Sequence, residues 1–152
     1  MSRFSVQKHY PAMQPLLALS MQVHDGGRLE PELQYLVLMR VSQINGCAYC
    51  LDMHGKDARA AGETEQRLYV LPAWRETKLF SEREQVALAF AEELTELASH
   101  EAVSDALYER ASKLFDDAAL VDLTLLVVAI NGWNRINIAS RNLGGNYKPA
   151  KH

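Results

Sequence analysis

The segment from residue 118 to residue 141 is apolar on nearly every side, and it constrains the fold more than any other part of this chain. Between Leu120 and Ile130 only Asp122 and Thr124 interrupt a run of leucine, isoleucine, valine and alanine. A helix without a polar face must be buried on most of its sides. A chain of 152 residues covers such a helix with difficulty, so the segment predicts a homo-oligomer in which neighbouring subunits complete the burial. The alternative is a central helix surrounded within one subunit.

The rest of the sequence also predicts helices, and we expect an all-α, compact bundle of six or seven. Alternating polar and apolar runs between hairpin turns, which are typical of strands, are almost absent. Helix starts are predicted at Pro11, at Pro31, near Gly46, at Thr64, at the Ser81–Glu84 capping box, at Ser104 and at Asp116 or Asp117. We expect Glu92 and Glu93 to lie on a solvated helix face, and the polar tail from Gly144 to be loose.

Charge and hydropathy exclude several classes of protein. The net charge of −3 gives no reason to expect binding to nucleic acid or to an anionic membrane. No unbroken apolar run reaches the ~18 residues of a membrane span, and the N-terminus from Met1 to Phe4 lacks the apolar run of a signal peptide. We therefore expect a single cytoplasmic domain over residues 1–152, with its core at about residues 30–142.

The two cysteines of the chain, Cys47 and Cys50, are spaced as CxxC, and His54 follows four residues later. This spacing suits a thiol pair that cycles between dithiol and disulfide, and in a helix the three residues share roughly one face. Asn45 and Gly46 are plausible N-terminal residues for that helix, which would place both thiols near the positive end of its dipole. The dipole and a nearby imidazole both lower a thiol pKa from its usual value of about 8.5.

Other interpretations of the two cysteines are weaker. They could be buried core thiols, since free cysteine is a common core residue. They could bind zinc together with His54, but a structural zinc site needs four ligands, and only His24 or His100 could supply the fourth. A c-type haem requires histidine directly after the second cysteine, where this chain has Leu51. We therefore expect neither a metal nor a cofactor.

The run from Arg40 to His54 resembles the signature of the carboxymuconolactone decarboxylase superfamily, in particular its alkylhydroperoxidase D-like (AhpD-like) branch with a CxxCxxxH motif. The resemblance continues through Lys56–Glu63, Leu71–Glu76 and Ala129–Arg135, so it covers most of the chain between about residues 30 and 140. CxxC alone is a weak signal, but CxxCxxxH preceded by Ser-Gln-Ile-Asn-Gly is a strong one.

The resemblance implies an all-helical fold that assembles into trimers or hexamers, and a peroxidase that acts on small hydroperoxides. It implies that Cys50 attacks the hydroperoxide, that Cys47 resolves the product into a disulfide, and that His54 belongs to a proton relay. It also implies a dithiol reductant, carried by a lipoylated or a thioredoxin-like protein. The helix dipole by itself favours Cys47 as the attacking thiol, whereas the imidazole at i+4 favours Cys50.

The chain departs from the family pattern at one position of the relay. The family places a glutamate twelve residues before the first cysteine, and this chain has Tyr35 there. Glu32 lies one helical turn earlier on roughly the same face and is a possible substitute base. The departure keeps open the alternative of a redox-sensing or disulfide-exchange binding protein with little peroxidase turnover. A cofactor-free enzyme resembling the lactone decarboxylases is a further alternative, but the CxxC argues against it, because that branch generally lacks the cysteine pair.

Four polar or amphipathic residues interrupt the apolar helix near its end: Asn131, Trp133, Asn134 and Asn137. Buried amides need hydrogen-bond partners. We expect these side chains to serve packing between helices or subunits, and the alternative is that Trp133 or Asn134 lines a pocket beside the thiols.

Overall fold

Seven α-helices and two short 3₁₀ segments, without any strand, make up the ordered elements of the computed structural model, which describes residues 3–99 and 103–149. The helices are α1 (Tyr10–Asp25), α2 (Pro31–Asn45), α3 (Ala48–Ala60), α4 (Glu65–Val70), α5 (Glu82–Thr95), α6 (Asp105–Leu114) and α7 (Asp117–Ser140). The 3₁₀ segments are Leu71–Glu76 and Leu97–Ser99. The prediction of an all-α chain is confirmed over these ranges.

Local capping residues set the start of four helices, as the sequence predicts. Thr64, Ser81, Ser104 and Asp116 each accept a hydrogen bond from the backbone N–H three residues later. The capping box is complete, because the Ser81 N–H also donates to Glu84 Oε2 over 2.7 Å.

The corner between α2 and α3 differs from the expectation. Asn45 is the last residue of α2, Gly46 follows it with a positive φ of 68°, and Cys47 is the N-cap of α3. Gly46 can adopt this left-handed conformation because it has no Cβ, and its N–H and that of Cys47 close the end of α2 on Gln43 O and Ser42 O. The helix that carries the thiols therefore begins after Cys47 rather than near Gly46.

Helix α7 is the core helix of the bundle, and it packs against α1, α2, α3, α5 and α6. Leu123 and Ile130 on its inner side are fully buried, whereas Val121 and Val128 are 56% and 53% exposed. One apolar side of the helix is thus left open within the single chain. In the described ranges α7 alone is long and apolar enough to cross a membrane by length and composition, a test that core helices also pass, and half of its apolar window is buried.

Glu92 does not lie on a solvated face, which corrects the expectation. It is 7% exposed, and it accepts hydrogen bonds from Arg40 Nε at 2.6 Å and Trp74 Nε1 at 2.9 Å. Arg75 Nη1 lies 2.6 Å from its other oxygen. The carboxylate thus joins α2, α5 and the first 3₁₀ segment, because each of them brings a donor to it.

The C-terminal strap, residues 142–149, is hydrogen-bonded along α3 and is not loose as its polar composition suggests. Gly145 N donates to Asp52 Oδ2 over 2.8 Å, and Lys56 Nζ donates to Tyr147 O over 3.0 Å. The Tyr147 hydroxyl donates to Asp57 Oδ1 over 2.8 Å. Polar groups of α3 hold the strap, so polarity in this tail serves attachment rather than solvation.

Candidate active site

Cys47 and Cys50 are joined by a disulfide at the start of α3, with a Cα–Cα distance of 5.4 Å. Both residues are buried, at 1% and 0% exposure. Cys47 lies at the N-cap, where its sulfur accepts a hydrogen bond from Cys50 N over 3.4 Å. The pair therefore occupies the first turn of a helix, close to its unsatisfied N–H groups.

A network of amides fixes the turn that precedes the disulfide. Asn45 Nδ2 donates to Asn131 Oδ1 over 3.0 Å and to Asn134 Oδ1 over 2.9 Å, and Asn134 Nδ2 donates to Ser42 Oγ over 3.1 Å. These bonds tie the last turn of α2 to α7. The packing interpretation of Asn131 and Asn134 thus matches the structure, and Asn134 serves this network rather than the wall of a pocket.

A cavity of about 550 Å³ opens onto Cys50, and Cys47 does not line it. Helices α1, α2, α3 and α7 form its walls. The side chains are mostly apolar, and they include Leu17, Leu38, Met53, Leu126, Ile130 and Trp133. Trp133 is held in place by a 3.0 Å hydrogen bond from its Nε1 to Ser20 Oγ. A small organic molecule fits this volume, and Cys50 is the cysteine that would lie beside it.

His54 lies one helical turn after Cys50 and lines the same cavity. Burial lowers the pKa of its imidazole to about 4, so the ring is neutral at physiological pH. A neutral imidazole can accept a proton on one nitrogen and donate from the other, which suits a relay.

We expect the imidazole of His54 to titrate near pH 4 in the folded protein, well below the usual value of 6.5. Because the unfolded chain binds this proton more readily, His54 makes the folded state less stable as the pH falls from about 6.5 to about 4. NMR titration of the histidine ring carbons, with His54→Gln to assign the signal, measures the value. Titration near pH 6.5 would contradict the burial of this ring.

Tyr35, which stands where the family has its glutamate, lines the cavity, whereas Glu32 is exposed and does not line it. Burial, and then the charge of Asp57, raise the pKa of the Tyr35 hydroxyl. Of the sequence-predicted site residues, Cys50, His54 and Tyr35 line the cavity. Cys47 is bonded to Cys50 without lining it, and Glu32 neither lines it nor contacts the disulfide.

Asp57 is a cavity residue that the sequence reasoning missed. It lies on α3 seven residues after Cys50 and three after His54, so the helical spacing was a signal that could have found it. It accepts the hydrogen bond of Tyr147, and burial together with this carboxylate raises the pKa of Tyr147 to about 12. Asp57 therefore brings a carboxylate to the side of the cavity where Tyr35 lies.

Asn137 is a second residue whose role sequence reasoning missed. Its Nδ2 lies 3.6 Å from Cys50 Sγ, and the side chain is buried. The sequence interpretation assigned it to packing, because nothing in the local pattern relates residue 137 to residue 50.

Within residues 3–99 and 103–149, no group of three or more His, Cys, Asp or Glu side chains could hold a metal ion. His24 is exposed, with Nδ1 at 3.1 Å from Gln34 Oε1, and His100 lies outside the described residues.

The chain is similar in sequence to a known protein family and to an uncharacterized bacterial protein. The model of the carboxymuconolactone decarboxylase family matches residues 11–93. YdfG of Bacillus subtilis, an uncharacterized protein, is 50% identical over 107 residues, which are 70% of this chain and 72% of YdfG.

Two solved structures share the fold. A protein of unknown function from Agrobacterium tumefaciens, described as a candidate antioxidant defence protein AhpD, has a TM-score of 0.90 and 34% identity, covering 97% of this chain and 100% of its own. The debrominase Bmp8 in complex with 2,3,4-tribromopyrrole has a TM-score of 0.82, covering 93% of this chain and 74% of its own. At 16% identity, the second likeness concerns the fold alone.

Proposed function

This chain belongs to the carboxymuconolactone decarboxylase family, and we propose that it is a thiol-dependent hydroperoxide reductase that cycles through the Cys47–Cys50 disulfide. The match of the family model to residues 11–93 confirms the family resemblance inferred from the CxxCxxxH run. One observation carries the proposal: Cys50 lines an apolar cavity together with His54, and Cys47 does not. A substrate in this cavity would therefore lie beside Cys50 rather than Cys47.

The reduced protein reacts in two steps. The Cys50 thiolate attacks one oxygen of the hydroperoxide, so that an S–O bond forms while the O–O bond breaks. The sulfur is oxidised to a sulfenic acid, and the peroxide is reduced to an alcohol after its second oxygen takes up a proton. The Cys47 thiol then condenses with the sulfenic acid, which releases water and forms the disulfide.

Protons move through His54 in this proposal, because it lies one helical turn from Cys50 and faces the same cavity. Tyr35 is the next member of the relay, and the Asp57 carboxylate supplies negative charge beside it. Glu32 would have to act through water or after a shift, since its side chain is exposed and does not line the cavity.

An external dithiol returns the disulfide to the reduced state by thiol–disulfide exchange and is itself oxidised. A lipoylated or thioredoxin-like protein has the required chemistry. We place the reaction in the cytoplasm, where such reductants keep thiols reduced.

Stopped-flow titration of the reduced protein with cumene hydroperoxide and with hydrogen peroxide tests the proposal. We expect stoichiometric loss of two thiols, much faster than for a free thiol, and repeated turnover when a dithiol is added. Oxidation at the rate of a free thiol would contradict a peroxidase and favour a redox-sensing or disulfide-exchange protein. Decarboxylation of a lactone by protein whose two thiols are blocked would instead favour a decarboxylase-like enzyme.

We also propose that the protein is a homo-oligomer, a trimer or a hexamer, because α7 leaves Val121 and Val128 exposed. A glutamate at position 128 would put charge into such an interface, so Val128→Glu is expected to dissociate the assembly. Sedimentation velocity measures the change, and Tyr108→Glu, a charge on the exposed side of α6, is the control. A wild-type protein that sediments as a monomer would rule the assembly out.

A further inference from the structure

Asn137 lies beside Cys50 in the interior of the protein. Its Nδ2 is 3.6 Å from Cys50 Sγ, which is hydrogen-bond distance for the larger sulfur atom. Cys50 has no exposed surface and Asn137 is 5% exposed, so water does not compete freely for this contact. The amide lies in the last turn of α7, and the sulfur lies in the first turn of α3.

Hydrogen bonds settle which end of the Asn137 amide faces the sulfur. Its Oδ1 accepts from Asn142 Nδ2 over 2.9 Å, and its Nδ2 donates to Trp133 O over 2.9 Å. If the Asn137 amide were rotated by 180°, its NH₂ group would face the NH₂ group of Asn142. Its oxygen would then face the carbonyl oxygen of Trp133. The N–H donor therefore points at Cys50.

The cavity offers few other groups that could stabilise a negative sulfur. Its titratable lining consists of Tyr10 and His24 on α1, Tyr35 on α2, and Tyr49, His54 and Asp57 on α3. Among the described residues that line it there is no lysine or arginine. The Asp57 carboxylate opposes a second negative charge in the same cavity, so uncharged hydrogen-bond donors such as the Asn137 amide are the groups that can stabilise it.

We propose that Asn137 is a catalytic residue that donates a hydrogen bond to the Cys50 thiolate and stabilises it for attack. The inference rests on the proposed function, because it gives Cys50 the role of the attacking thiol. Deprotonation of Cys50 transfers its proton to the relay or to solvent, and the amide N–H then faces a charged acceptor. Hydrogen bonds to a charged acceptor are roughly twice as strong as those between neutral groups.

The thiol pKa of Cys50 tests the proposal directly. It is measured by the ultraviolet absorbance of the thiolate in a Cys47→Ser background, so that a single thiol titrates. We expect Asn137→Leu to raise the pKa by about one unit, which is a tenfold loss of thiolate at a pH well below the pKa. The rate of alkylation by iodoacetamide below the thiol pKa should also fall, but by less than tenfold, because a thiolate of higher pKa is the stronger nucleophile.

A second variant guards against a failure to fold. Asn137→Ser keeps a hydroxyl that can bond to the carbonyl of Trp133, as serine does within helices, but the hydroxyl is too short to reach the sulfur. We expect the same upward shift from it. Thr124→Ala is the matched control, because Thr124 lies on the same helix and its hydroxyl bonds to Leu120 O, outside the network at the disulfide; its Cys50 pKa should equal that of the parent.

The outcomes separate this inference from the proposed function. An unchanged Cys50 pKa in both folded Asn137 variants would overturn the inference, even in a protein that turns over hydroperoxide. A shift of the same size in Thr124→Ala would also overturn it, because the effect would then come from the helix as a whole. If the Asn137 variants alone shift the Cys50 pKa but the wild-type protein does not turn over hydroperoxide, the hydrogen bond is supported and the peroxidase function is rejected.

Discussion

Replacing Cys50 by serine is expected to lower hydroperoxide turnover by roughly a thousandfold or more, since the attacking atom is lost. A serine hydroxyl in this position stays protonated at neutral pH and cannot form a sulfenic acid. Because Cys50 is the only cysteine among the described residues that line the cavity, no other thiol there can take its place. The consumption of cumene hydroperoxide with a dithiol as reductant measures the effect.

Cys47→Ser is the matched variant, because it removes the other half of the same disulfide. We expect it to complete one oxidation at nearly the wild-type rate and then stop, with a sulfenic acid on Cys50 that a dimedone-type reagent captures. Capture on Cys47 in the Cys50→Ser protein, at a rate like that of wild type, would reverse the two roles. The comparison requires that both variants keep the helical content and assembly of the wild type.

Removal of the Glu92 carboxylate is expected to lower the free energy of unfolding by about 3–5 kcal/mol, because it leaves Arg40 as a largely buried charge without its partner. Glu92→Leu also takes the acceptor away from Trp74 Nε1. Urea unfolding measures the loss. Glu96→Gln is the control, since Glu96 is an exposed residue just after α5, and its effect should stay within about 0.5 kcal/mol.

The contribution of Glu92 should depend on pH in a definite direction. Burial by itself would raise the pKa of this carboxyl, but the hydrogen bonds from Trp74, Arg40 and Arg75 outweigh burial and bring it below its ordinary value of 4.5. A lowered folded-state pKa contributes stability above the unfolded pKa, and this stability is lost as the pH falls through the folded value. The difference between wild type and Glu92→Leu should therefore be full at neutral pH and shrink in acid. A difference that grows in acid would contradict the ion-pair account.

The helices and the thiol pair could be predicted from the sequence because both depend on residues close together in the chain. A serine, threonine or aspartate caps the N–H groups of the next turn, so Thr64, Ser81, Ser104 and Asp116 indicate where helices begin. The spacing of Cys50 and His54 places them one turn apart for the same reason. The family signature lies in the same short run.

Tertiary structure alone decided which partners the buried polar groups and the sulfur of Cys50 have. Glu92 has the sequence context of a surface charge, and it becomes an ion-pair centre because Arg40, 52 residues earlier, packs beside it. The strap reaches α3 from about 90 residues away, where it brings Tyr147 to Asp57. Asn137 meets Cys50 across 87 residues, on a helix whose pattern indicates only burial. A local pattern determines where a helix begins and which side is apolar, but the partner of a buried polar group depends on how helices distant in sequence cross.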